Sequence, residues 1–451
     1  MHTQNQPAEE LSEPVTIGVE AYTSEAYARA EGEKLWSKVW LQAGRIEEIP
    51  EVGNFITYDI LDESILIVRT AADSIKAFYN VCVHRGRKLV DTKPGERNAQ
   101  GKRKLFVCGF HGWRYNTDGE CTHIPQKEDW GCALTPGNTH LTEVKVDTWG
   151  GWLWINLDPN CEPLLDYLEP AASMLAPFQL ENMRFRWRRW LVFDCNWKVA
   201  LEAFNESYHV ATTHPEFNQF GEYWGWARVQ GKHTNIGFDA PKGMDENQAK
   251  LRVGGGDARI STAVMHEFIW NQANTSTTPT LVNAAKRLVD ELPEGTPADK
   301  VLKHWLESAR RDDAARGVHW PTIDPAHMAK TGTAWQIFPN FQIGHGLNNA
   351  LCYAARPYGY DPNKCIFEAA VYELFPKGEE PKTEWVYSPA DDPGWRTVLP
   401  QDFSNMAAVQ QGLRSRGFPG TKPNPHRERS IVSLHRNLAK YMGVGEPREL
   451  K

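Results

Sequence analysis

Residues 80–87 read Asn-Val-Cys82-Val-His84-Arg-Gly-Arg, and residues 108–115 read Cys108-Gly-Phe-His111-Gly-Trp-Arg-Tyr. Each stretch carries one cysteine and one histidine, spaced Cys-x-His in the first and Cys-x-x-His in the second. Two thiolates and two imidazoles can hold zinc or an iron–sulfur cluster. Because each loop supplies one ligand of each kind, the pattern favours a [2Fe–2S] cluster in which one iron takes both thiolates and the other both imidazoles.

The residues around these ligands support the cluster interpretation. Gly86, Gly109 and Gly112 allow close approach of the backbone, whose amides can donate hydrogen bonds to bridging sulfides, and Trp113 and Tyr115 can exclude water. The two loops resemble the signature of the Rieske cluster domain in aromatic-ring-hydroxylating oxygenases. Structural zinc ligation and burial in the core are the alternatives for these four side chains.

One feature departs from that family. Twenty-three residues, 85–107, separate the two ligand pairs, which is more than the family normally has. The stretch 91–104 is polar and is interpreted as an inserted, solvated turn that leaves the ligands undisturbed.

The length of 451 residues predicts two domains. The net charge is −7 and basic residues are spread along the chain, so neither nucleic acid nor an anionic membrane is an expected partner. No signal-peptide pattern or membrane-length apolar run is visible, which predicts a cytoplasmic protein. The six remaining cysteines show no paired spacing and are expected to be reduced.

Changes of hydrophobic period divide the chain. Ser24 is expected to cap a helix reaching about residue 41, short strands are expected at 55–60, 64–68 and 75–79, and a buried strand at 150–159. The expected division is a helical segment, 1–40, that packs on the catalytic domain, a Rieske domain, 41–159, and a catalytic domain, 160–451. In the last of these, the patterns predict the following elements: strands at 183–193, 333–343 and 366–375, and helices at 197–208, 300–316, 404–413 and 427–442.

A second motif begins at Asn-Trp-Lys, residues 196–198. Glu202, Glu206 and His209 are spaced i, i+4 and i+7, which predicts that they share one face of a helix. His214 follows His209 by five positions, so bringing the two imidazoles together requires the helix to unwind after His209. Two histidines need one carboxylate to complete the facial triad that binds Fe(II) and leaves positions open for O₂.

This stretch resembles the mononuclear iron motif of the same oxygenase family. The resemblance implies that the third ligand is Asp402, in Gln401-Asp402-Phe-Ser-Asn405-Met. An ordinary helix N-cap is the alternative for Asp402. The resemblance also assigns a catalytic role to Glu206, where the family more often has Asp. We expect it to link His111 of one protomer to His209 of the next.

The resemblance implies an α+β fold: a small antiparallel β Rieske [2Fe–2S] domain and a helix-grip catalytic domain, an antiparallel sheet around a long helix. It implies two cofactors, the [2Fe–2S] cluster and mononuclear Fe(II), in the terminal oxygenase component of a Rieske system. Electrons would come from NAD(P)H through a separate ferredoxin or reductase, because no flavin or dinucleotide fingerprint is present. The expected assembly is a head-to-tail homotrimer, or one with β subunits.

The expected reaction is O₂-dependent hydroxylation of a small aromatic substrate, most often cis-dihydroxylation. Monooxygenation or oxidative demethylation of a methoxyaromatic or quaternary amine is the alternative, because glutamate also occurs at position 206 in relatives acting on quaternary amines. An iron–sulfur electron carrier and a zinc-stabilised binding protein are the non-enzyme alternatives. The candidate pocket residues are the following: Phe204, Trp224, Trp226, Phe338, Phe341 and Tyr353. His304, His319, His345 and His435 are assigned no metal role.

Overall fold

The computed structural model describes residues 13–221, 224–239 and 252–450. Its strands pair antiparallel except β12 with β19. In chain order they are β1 (Val15–Thr16), β2 (Leu41–Arg45), β3 (Asn54–Ile60), β4 (Glu63–Ala71), β5 (Ser74–Tyr79), β6 (Gln100–Lys102), β7 (Leu105–Val107), β8 (Arg114–Asn116), β9 (Cys121–His123), β10 (Glu143–Trp149), β11 (Trp152–Asn156), β12 (Arg184–Phe193), β13 (Trp224–Gln230), β14 (His233–Asp239), β15 (Ala334–Ile337), β16 (Phe341–His345), β17 (Asn349–Tyr358), β18 (Asp361–Glu373), β19 (Val386–Tyr387) and β20 (Arg448–Glu449).

Helices flank these strands, most of them after β11. They are α1 (Glu20–Thr23), α2 (Glu25–Glu31), α3 (Pro136–Thr139), α4 (Leu164–Leu168), α5 (Ala171–Leu175), α6 (Trp197–Glu202), α7 (Val210–Thr213), α8 (Ala258–Gln272), α9 (Pro279–Glu291), α10 (Ala298–Ala315), α11 (Pro325–Thr331), α12 (Val398–Gly412) and α13 (Arg429–Met442). Across the described residues, every helix is too short or too polar to cross a membrane.

The first half of the chain forms a seven-stranded sheet in the order β2-β11-β10-β5-β4-β3-β6, beside a three-stranded sheet, β7-β8-β9. Strand β4 is apolar on both faces because it separates two cores. Ile65 and Ile67 face the large core that continues into the second half of the chain. Leu66 and Val68 face a small core that also contains the cysteines of both ligand loops. Strand β4 thus packs against the small core to which both ligand loops contribute their cysteines.

The second half is built on an eight-stranded sheet in the order β13-β14-β15-β16-β17-β18-β12-β19. Helix α6 packs on β17 and β18, and α13 packs on β13 and β14. Buried residues recur along α13 at helical spacing, from Ile431 through Leu434 and Leu438 to Met442, which gives it one apolar face toward the core. The α+β prediction, with a Rieske-type domain beside an antiparallel sheet and helices, is confirmed.

Several element boundaries differ from the prediction. Ser24 accepts a hydrogen bond from the Tyr27 amide as expected of a cap, but α2 ends at Glu31 and a π-helix, Gly32–Trp36, replaces its last predicted turns. The predicted strand 333–343 is divided into β15 and β16 by a turn at Pro339. Glu31 itself is buried and binds the buried Lys198 ammonium at 2.7 Å, which joins the N-terminal helices to α6.

The interpretation of 91–104 as a solvated turn is wrong at the centre of that stretch, residues 97–99. Arg97, Asn98 and Ala99 are buried, and Arg97 Nη2 donates to Glu368 Oε2 on β18 at 2.7 Å. Arg356 on β17 pairs with the other oxygen of the same carboxylate. Burial alone would raise the pKa of Glu368, but the charges of Arg356 and Arg97 lower it to about 2. The insertion therefore joins the two halves of the chain through a buried ion pair.

Glu368→Gln is expected to lower the midpoint of thermal unfolding markedly, because it leaves two buried guanidinium groups without a carboxylate. Removing one partner of a buried ion pair typically costs about 3–5 kcal/mol. Glu51→Gln is the matched control, since Glu51 and its partner Lys102 are both more than half exposed, and such changes stay within about 0.5 kcal/mol. Equal midpoints for the two variants in differential scanning calorimetry would show that the buried pair does not stabilise the fold.

Candidate metal centres

The two cysteine–histidine loops have the same backbone geometry. The Cys82 amide donates to the Arg87 carbonyl and the Cys108 amide to the Trp113 carbonyl, each at 2.8 Å. Each loop turns through a glycine with φ of +76°, Gly86 in the first and Gly112 in the second, a conformation that glycine adopts without steric cost. This repeated turn brings both ligand pairs to one end of the small core.

Within this pair of loops, the thiols lie inside and the imidazoles lie nearer the surface. Cys82 and Cys108 are 1% and 2% exposed, and the rings of His84 and His111 are 4.5 Å apart. His84 stacks on Trp113, with 4.9 Å between ring centroids. This is the order that a [2Fe–2S] cluster with an inner Cys₂ iron and an outer His₂ iron requires.

One unsatisfied nitrogen and one hydroxyl beside a thiol indicate that the loops fit such a cluster. The buried Nδ1 atom of His84 has no hydrogen-bond partner among the described residues, although buried polar nitrogens are nearly always paired. Burial, and then the charges of His111 and Arg85, lower the pKa of His84, which favours the neutral imidazole that a metal requires. The Tyr115 hydroxyl lies 3.1 Å from the Cys82 sulfur, where it can hydrogen-bond to a thiolate.

The second motif folds differently from the prediction. Helix α6 ends at Glu202, and residues 203–209 form turns and bends before the short helix α7. Glu206 Oε2 accepts hydrogen bonds from the Tyr208 and His209 amides, and this capture of backbone donors competes with helix formation. The prediction that Glu202, Glu206 and His209 share one helical face is therefore wrong, and the chain unwinds before His209 rather than after it.

Helix α7 brings the side chains of His209 and His214 close together. His209 stands at its N-terminal end, and His214 follows its last residue, where Pro215 prevents further helix. Their ring centroids lie 5.4 Å apart. Glu202 points elsewhere, since it accepts hydrogen bonds from the Tyr22 hydroxyl at 3.1 Å and lies 2.7 Å from His435 Nε2.

Asp402 completes a group of three potential ligands. Its Oδ1 atom lies 3.3 Å from His209 Nε2 and 2.9 Å from His214 Nε2, and one ligand atom from each of the three residues falls within 4.8 Å of the others. Helix α12 begins at Val398, so Asp402 lies inside the helix and the N-cap alternative is wrong. The burial of Asp402, at 6% exposed, suits a ligand more than a surface carboxylate.

Each histidine is also held through its other ring nitrogen. His209 Nδ1 lies 2.5 Å from Glu206 Oε1, and His214 Nδ1 lies 2.7 Å from Gln401 Oε1. Gln401 donates in turn to Glu216 at 2.9 Å. Supporting acceptors of this kind orient metal-bound imidazoles and fix their tautomer. Sequence reasoning missed Gln401 and Glu216; the only signal was the position of Gln401 directly beside Asp402.

Charges at this centre are arranged for a cation. Burial would lower the pKa of His209, but hydrogen bonds and charges from Asp402 and Glu206 raise it to about 10. Burial would likewise raise the pKa of Asp402, and the two histidines lower it. A divalent metal would replace the proton that His209 otherwise holds, so the donor set fits mononuclear Fe(II).

We expect the apparent Fe(II) affinity of the centre to rise with pH. Below about pH 10, His209 is protonated in the metal-free protein, so binding must release that proton. One released proton gives roughly a tenfold gain in affinity per pH unit between pH 6 and 9. Anaerobic competition titrations with a fluorescent chelator would measure the slope. A flat profile would mean that iron displaces no proton, which would contradict a protonated His209 in the metal-free protein.

A large cavity lies in the same half of the chain, although none of His209, His214 and Asp402 is among the residues that line it. Its volume is about 1140 Å³, and its walls include Trp226 and Tyr353 as predicted. Tyr353 stacks on Phe204 at 4.2 Å, directly after α6, and the Asp402 charge contributes to the raised pKa of Tyr353 after burial. Phe338 and Phe341 lie in the core instead, so their assignment to the pocket is wrong. The side chain of Trp224 lies outside the described residues.

A row of aromatic rings leads from His214 to helix α8. The His214 ring lies 6.0 Å from that of Phe217, which lies 5.2 Å from Phe268 on α8. His266, two residues before Phe268 on the same helix, lines the cavity. Because residues two apart on a helix point to different sides, this row of rings does not by itself connect the centre to the cavity.

Two family models match the chain. The Rieske [2Fe–2S] domain matches residues 39–144, and the catalytic domain of the ring-hydroxylating alpha subunit matches residues 180–444. Together they include both cysteine–histidine loops and the His–His–Asp group.

Several curated relatives are oxygenase subunits. The chain is 34% identical over 191 residues to the glycine betaine monooxygenase oxygenase subunit of Chromohalobacter salexigens, an alignment that covers 42% of this chain and 41% of that protein. It is 28% identical over 272 residues to the carnitine monooxygenase oxygenase subunit of Escherichia coli, covering 58% and 68%. Biphenyl 2,3-dioxygenase subunit alpha of Rhodococcus jostii is 30% identical over 212 residues, covering 43% and 42%.

Solved structures share the fold along nearly the whole chain. A quaternary ammonium Rieske monooxygenase in complex with L-carnitine superposes with a TM-score of 0.64 at 19% identity, covering 98% of this chain and all of that one. Naphthalene 1,2-dioxygenase with bound indole gives a TM-score of 0.61 at 18% identity, covering 98% and 96%.

Proposed function

Because the chain belongs to the ring-hydroxylating alpha subunits of Rieske oxygenases, which carry a [2Fe–2S] cluster and mononuclear iron, we propose that it is the terminal component of a monooxygenase. Its substrate is a quaternary ammonium compound, hydroxylated at a carbon attached to nitrogen. The relatives named for glycine betaine and carnitine support this reaction over aromatic cis-dihydroxylation, the first expectation from the sequence.

The observation that carries the proposal is the His–His–Asp group, and an aromatic-walled cavity in the same half of the chain supports it. A pure electron carrier or a zinc-stabilised binding protein has no use for an open facial triad. The cavity wall includes the rings of Trp226, Trp305 and Trp320, and aromatic faces attract a methylated ammonium group through cation–π interaction.

The roles of individual residues follow from their positions. Cys82 and Cys108 hold one cluster iron, His84 and His111 hold the other, and His209, His214 and Asp402 hold the mononuclear iron. When bound, the cluster supplies single electrons and the mononuclear iron activates O₂. The protein side chains keep the ligands in place: Glu206 orients His209, and Gln401 with Glu216 orients His214.

In the proposed reaction, O₂ accepts two electrons from the donor and two from the substrate, and takes up two protons. One oxygen atom enters a C–H bond next to nitrogen and the other leaves as water. The C–N bond of the hydroxylated compound then breaks, so that the hydroxylated carbon becomes an aldehyde and a tertiary amine and a proton leave. The electrons reach the cluster from a separate ferredoxin or reductase.

Electron transfer between protomers is part of the proposal. His111 is exposed at the surface, and Glu206 lies beside His209 at the proposed mononuclear iron site. In a head-to-tail trimer, Glu206 of one protomer would contact His111 of the next and so connect the cluster of one protomer to the mononuclear iron of its neighbour. One of the quaternary ammonium monooxygenase structures is described with inter-subunit electron transfer. We further propose the domain division 41–159 and 160–451, with 1–40 packed on the catalytic domain.

Product analysis tests the reaction class. We would supply the reduced protein with O₂ and either quaternary ammonium compounds or aromatic hydrocarbons and acids, and analyse the products by mass spectrometry. The proposal expects one aldehyde and one tertiary amine for each O₂ consumed. A cis-dihydrodiol from an aromatic substrate, with no amine release, would contradict it and restore ring dihydroxylation, which the match to biphenyl dioxygenase favours as the second candidate.

A further inference from the structure

A row of polar side chains crosses the eight-stranded sheet. Thr234, Gln336, Gln342 and Tyr353 stand in register on the adjacent strands β14, β15, β16 and β17. Directly opposite residues of antiparallel strands point to the same face of the sheet, with Cβ atoms about 4.5–5.5 Å apart. All four residues are buried, and burial of a polar group is unfavourable unless it is hydrogen-bonded.

Two polar atoms in this row have no hydrogen-bond partner among the described residues, namely Gln336 Nε2 and Gln342 Oε1. The other end of each amide is engaged. Thr234 Oγ1 donates to Gln336 Oε1 at 3.4 Å, and Gln342 Nε2 donates to the Phe204 carbonyl. These contacts hold an unpaired donor and an unpaired acceptor on neighbouring strands. Because buried polar groups nearly always have a partner, a bound group that offers both an acceptor and a donor would complete the pair.

Gln342 and Tyr353 connect this row to the large cavity. Both line its wall, and Gln342 is only 5% exposed. Leu351, two positions before Tyr353 on β17, lines the same wall. The Gln342 amide therefore lies at an aromatic and apolar part of the wall, with the Gln336 amide beside it. The space in front of this part of the wall, about 1140 Å³, is large enough to admit an organic ligand.

A hydroxyl group matches the two unpaired atoms with a single oxygen. It is both a donor and an acceptor, so it can donate to Gln342 Oε1 and accept from Gln336 Nε2. A carboxylate has no donor, and a quaternary ammonium group has neither donor nor acceptor. A primary ammonium group has no acceptor and would leave Gln336 Nε2 unpaired.

We propose that Gln336 and Gln342 form a hydroxyl-binding subsite, and that the ligand of the cavity is an organic alcohol whose body contacts Tyr353 and Leu351. The alcohol is either the substrate of the proposed reaction or a second ligand. In the first case the inference rests on the proposed function and narrows its substrate to quaternary ammonium compounds that carry a hydroxyl group. Carnitine has such a group and glycine betaine has none.

The test compares ligands that differ only at the hydroxyl group. L-Carnitine and γ-butyrobetaine form one pair, and 2-phenylethanol and its methyl ether form an uncharged pair. Isothermal titration calorimetry of the anaerobic, metal-loaded protein would give each Kd. A site built to hydrogen-bond a hydroxyl group discriminates strongly against analogues that lack it. We therefore expect the alcohol to bind at least ~10-fold more tightly than its analogue in one pair or in both.

Variants locate the subsite. Gln342→Met removes the acceptor and Gln336→Met removes the donor, and each is expected to abolish the preference for the alcohol. Gln411→Met, at an exposed glutamine of α12, should keep it. Gln336→Met leaves the contact between Gln342 and Phe204 in place, so it remains informative if Gln342→Met loses iron. Equal affinities within both ligand pairs, or a preference that persists in both Gln336→Met and Gln342→Met, would overturn the inference.

Oxidation assays on the same samples distinguish the two sources of the alcohol and separate the inference from the proposed function. A preference for carnitine together with its oxidation supports the subsite with the alcohol as substrate, and a preference confined to 2-phenylethanol supports it with a second ligand. Selective binding with full metal content but no oxidation of any quaternary ammonium compound would contradict the proposed reaction and leave the subsite standing. Oxidation of carnitine and γ-butyrobetaine, with equal affinities within both pairs, would overturn the subsite and leave the reaction standing.

Discussion

Asp402→Ala is expected to abolish oxygenation while leaving the [2Fe–2S] cluster in place. Asp402 Oδ1 is the carboxylate oxygen that faces both His209 Nε2 and His214 Nε2, so its removal leaves two imidazoles and no charge to balance the metal. Loss of a supporting partner of a metal ligand typically costs about 10–100-fold, and loss of a ligand itself should exceed that. The cluster loops belong to a separate core, so the visible spectrum should not change.

Iron and sulfide analysis, together with turnover, would check this variant. Ser404→Ala is the matched control, because Ser404 lies on the same helix, α12, with an exposed side chain. We expect the control to keep full iron and full activity, and Asp402→Ala to lose about one iron per chain and no sulfide. An Asp402→Ala protein with normal iron content and turnover would exclude Asp402 as a ligand.

Glu206→Gln is expected to keep both metals and lose most of its coupled turnover. The variant preserves the shape of the side chain and an oxygen that can accept from the backbone, but it removes the charge beside His209 Nδ1. A supporting carboxylate of this kind is worth about 10–100-fold in activity. If Glu206 also connects His209 to His111 of the next protomer, oxidation of the pre-reduced cluster by O₂ and substrate should slow by the same factor.

Glu216→Gln separates the two roles of a supporting carboxylate. Glu216 reaches His214 only through Gln401, so this control should weaken iron binding without slowing cluster oxidation once iron is saturating. Stopped-flow absorbance of the cluster band would follow both variants. Unchanged turnover in Glu206→Gln would contradict an electron-transfer role, and equal slowing in both variants would reduce Glu206 to a structural support.

The sequence was most informative where ligands are close in the chain. Cys82 and His84, or Cys108 and His111, fall within four residues of each other, so the spacing alone limits what they can bind. The α+β class and half of the strands of the eight-stranded sheet, namely β12, β15, β16 and β18, were also predictable, because alternating burial leaves a period of two in the sequence.

Long-range contacts explain most of what the sequence did not reveal. The composition of 91–104 is polar, and only the approach of Glu368 from β18 makes burial of Arg97 favourable. The early end of α6 depends on Glu206 binding its own backbone amides, an option that helical spacing does not display. The N-cap alternative for Asp402 could be excluded only from the structure, in which α12 starts four residues before Asp402.

Substrate class was the weakest prediction from the sequence, because it depends on the walls of a cavity that many separate segments build. Aromatic residues were chosen by position, and of the six named, Trp226 and Tyr353 line the cavity.

Metal and sulfide content per chain tests the two-centre assignment most directly. We would purify the protein anaerobically, measure iron, zinc and acid-labile sulfide, and record the visible spectrum before and after dithionite. A [2Fe–2S] cluster and one mononuclear site predict about three iron and two sulfide per chain, with a visible band that bleaches on reduction. Zinc without sulfide, in a colourless protein, would contradict both centres.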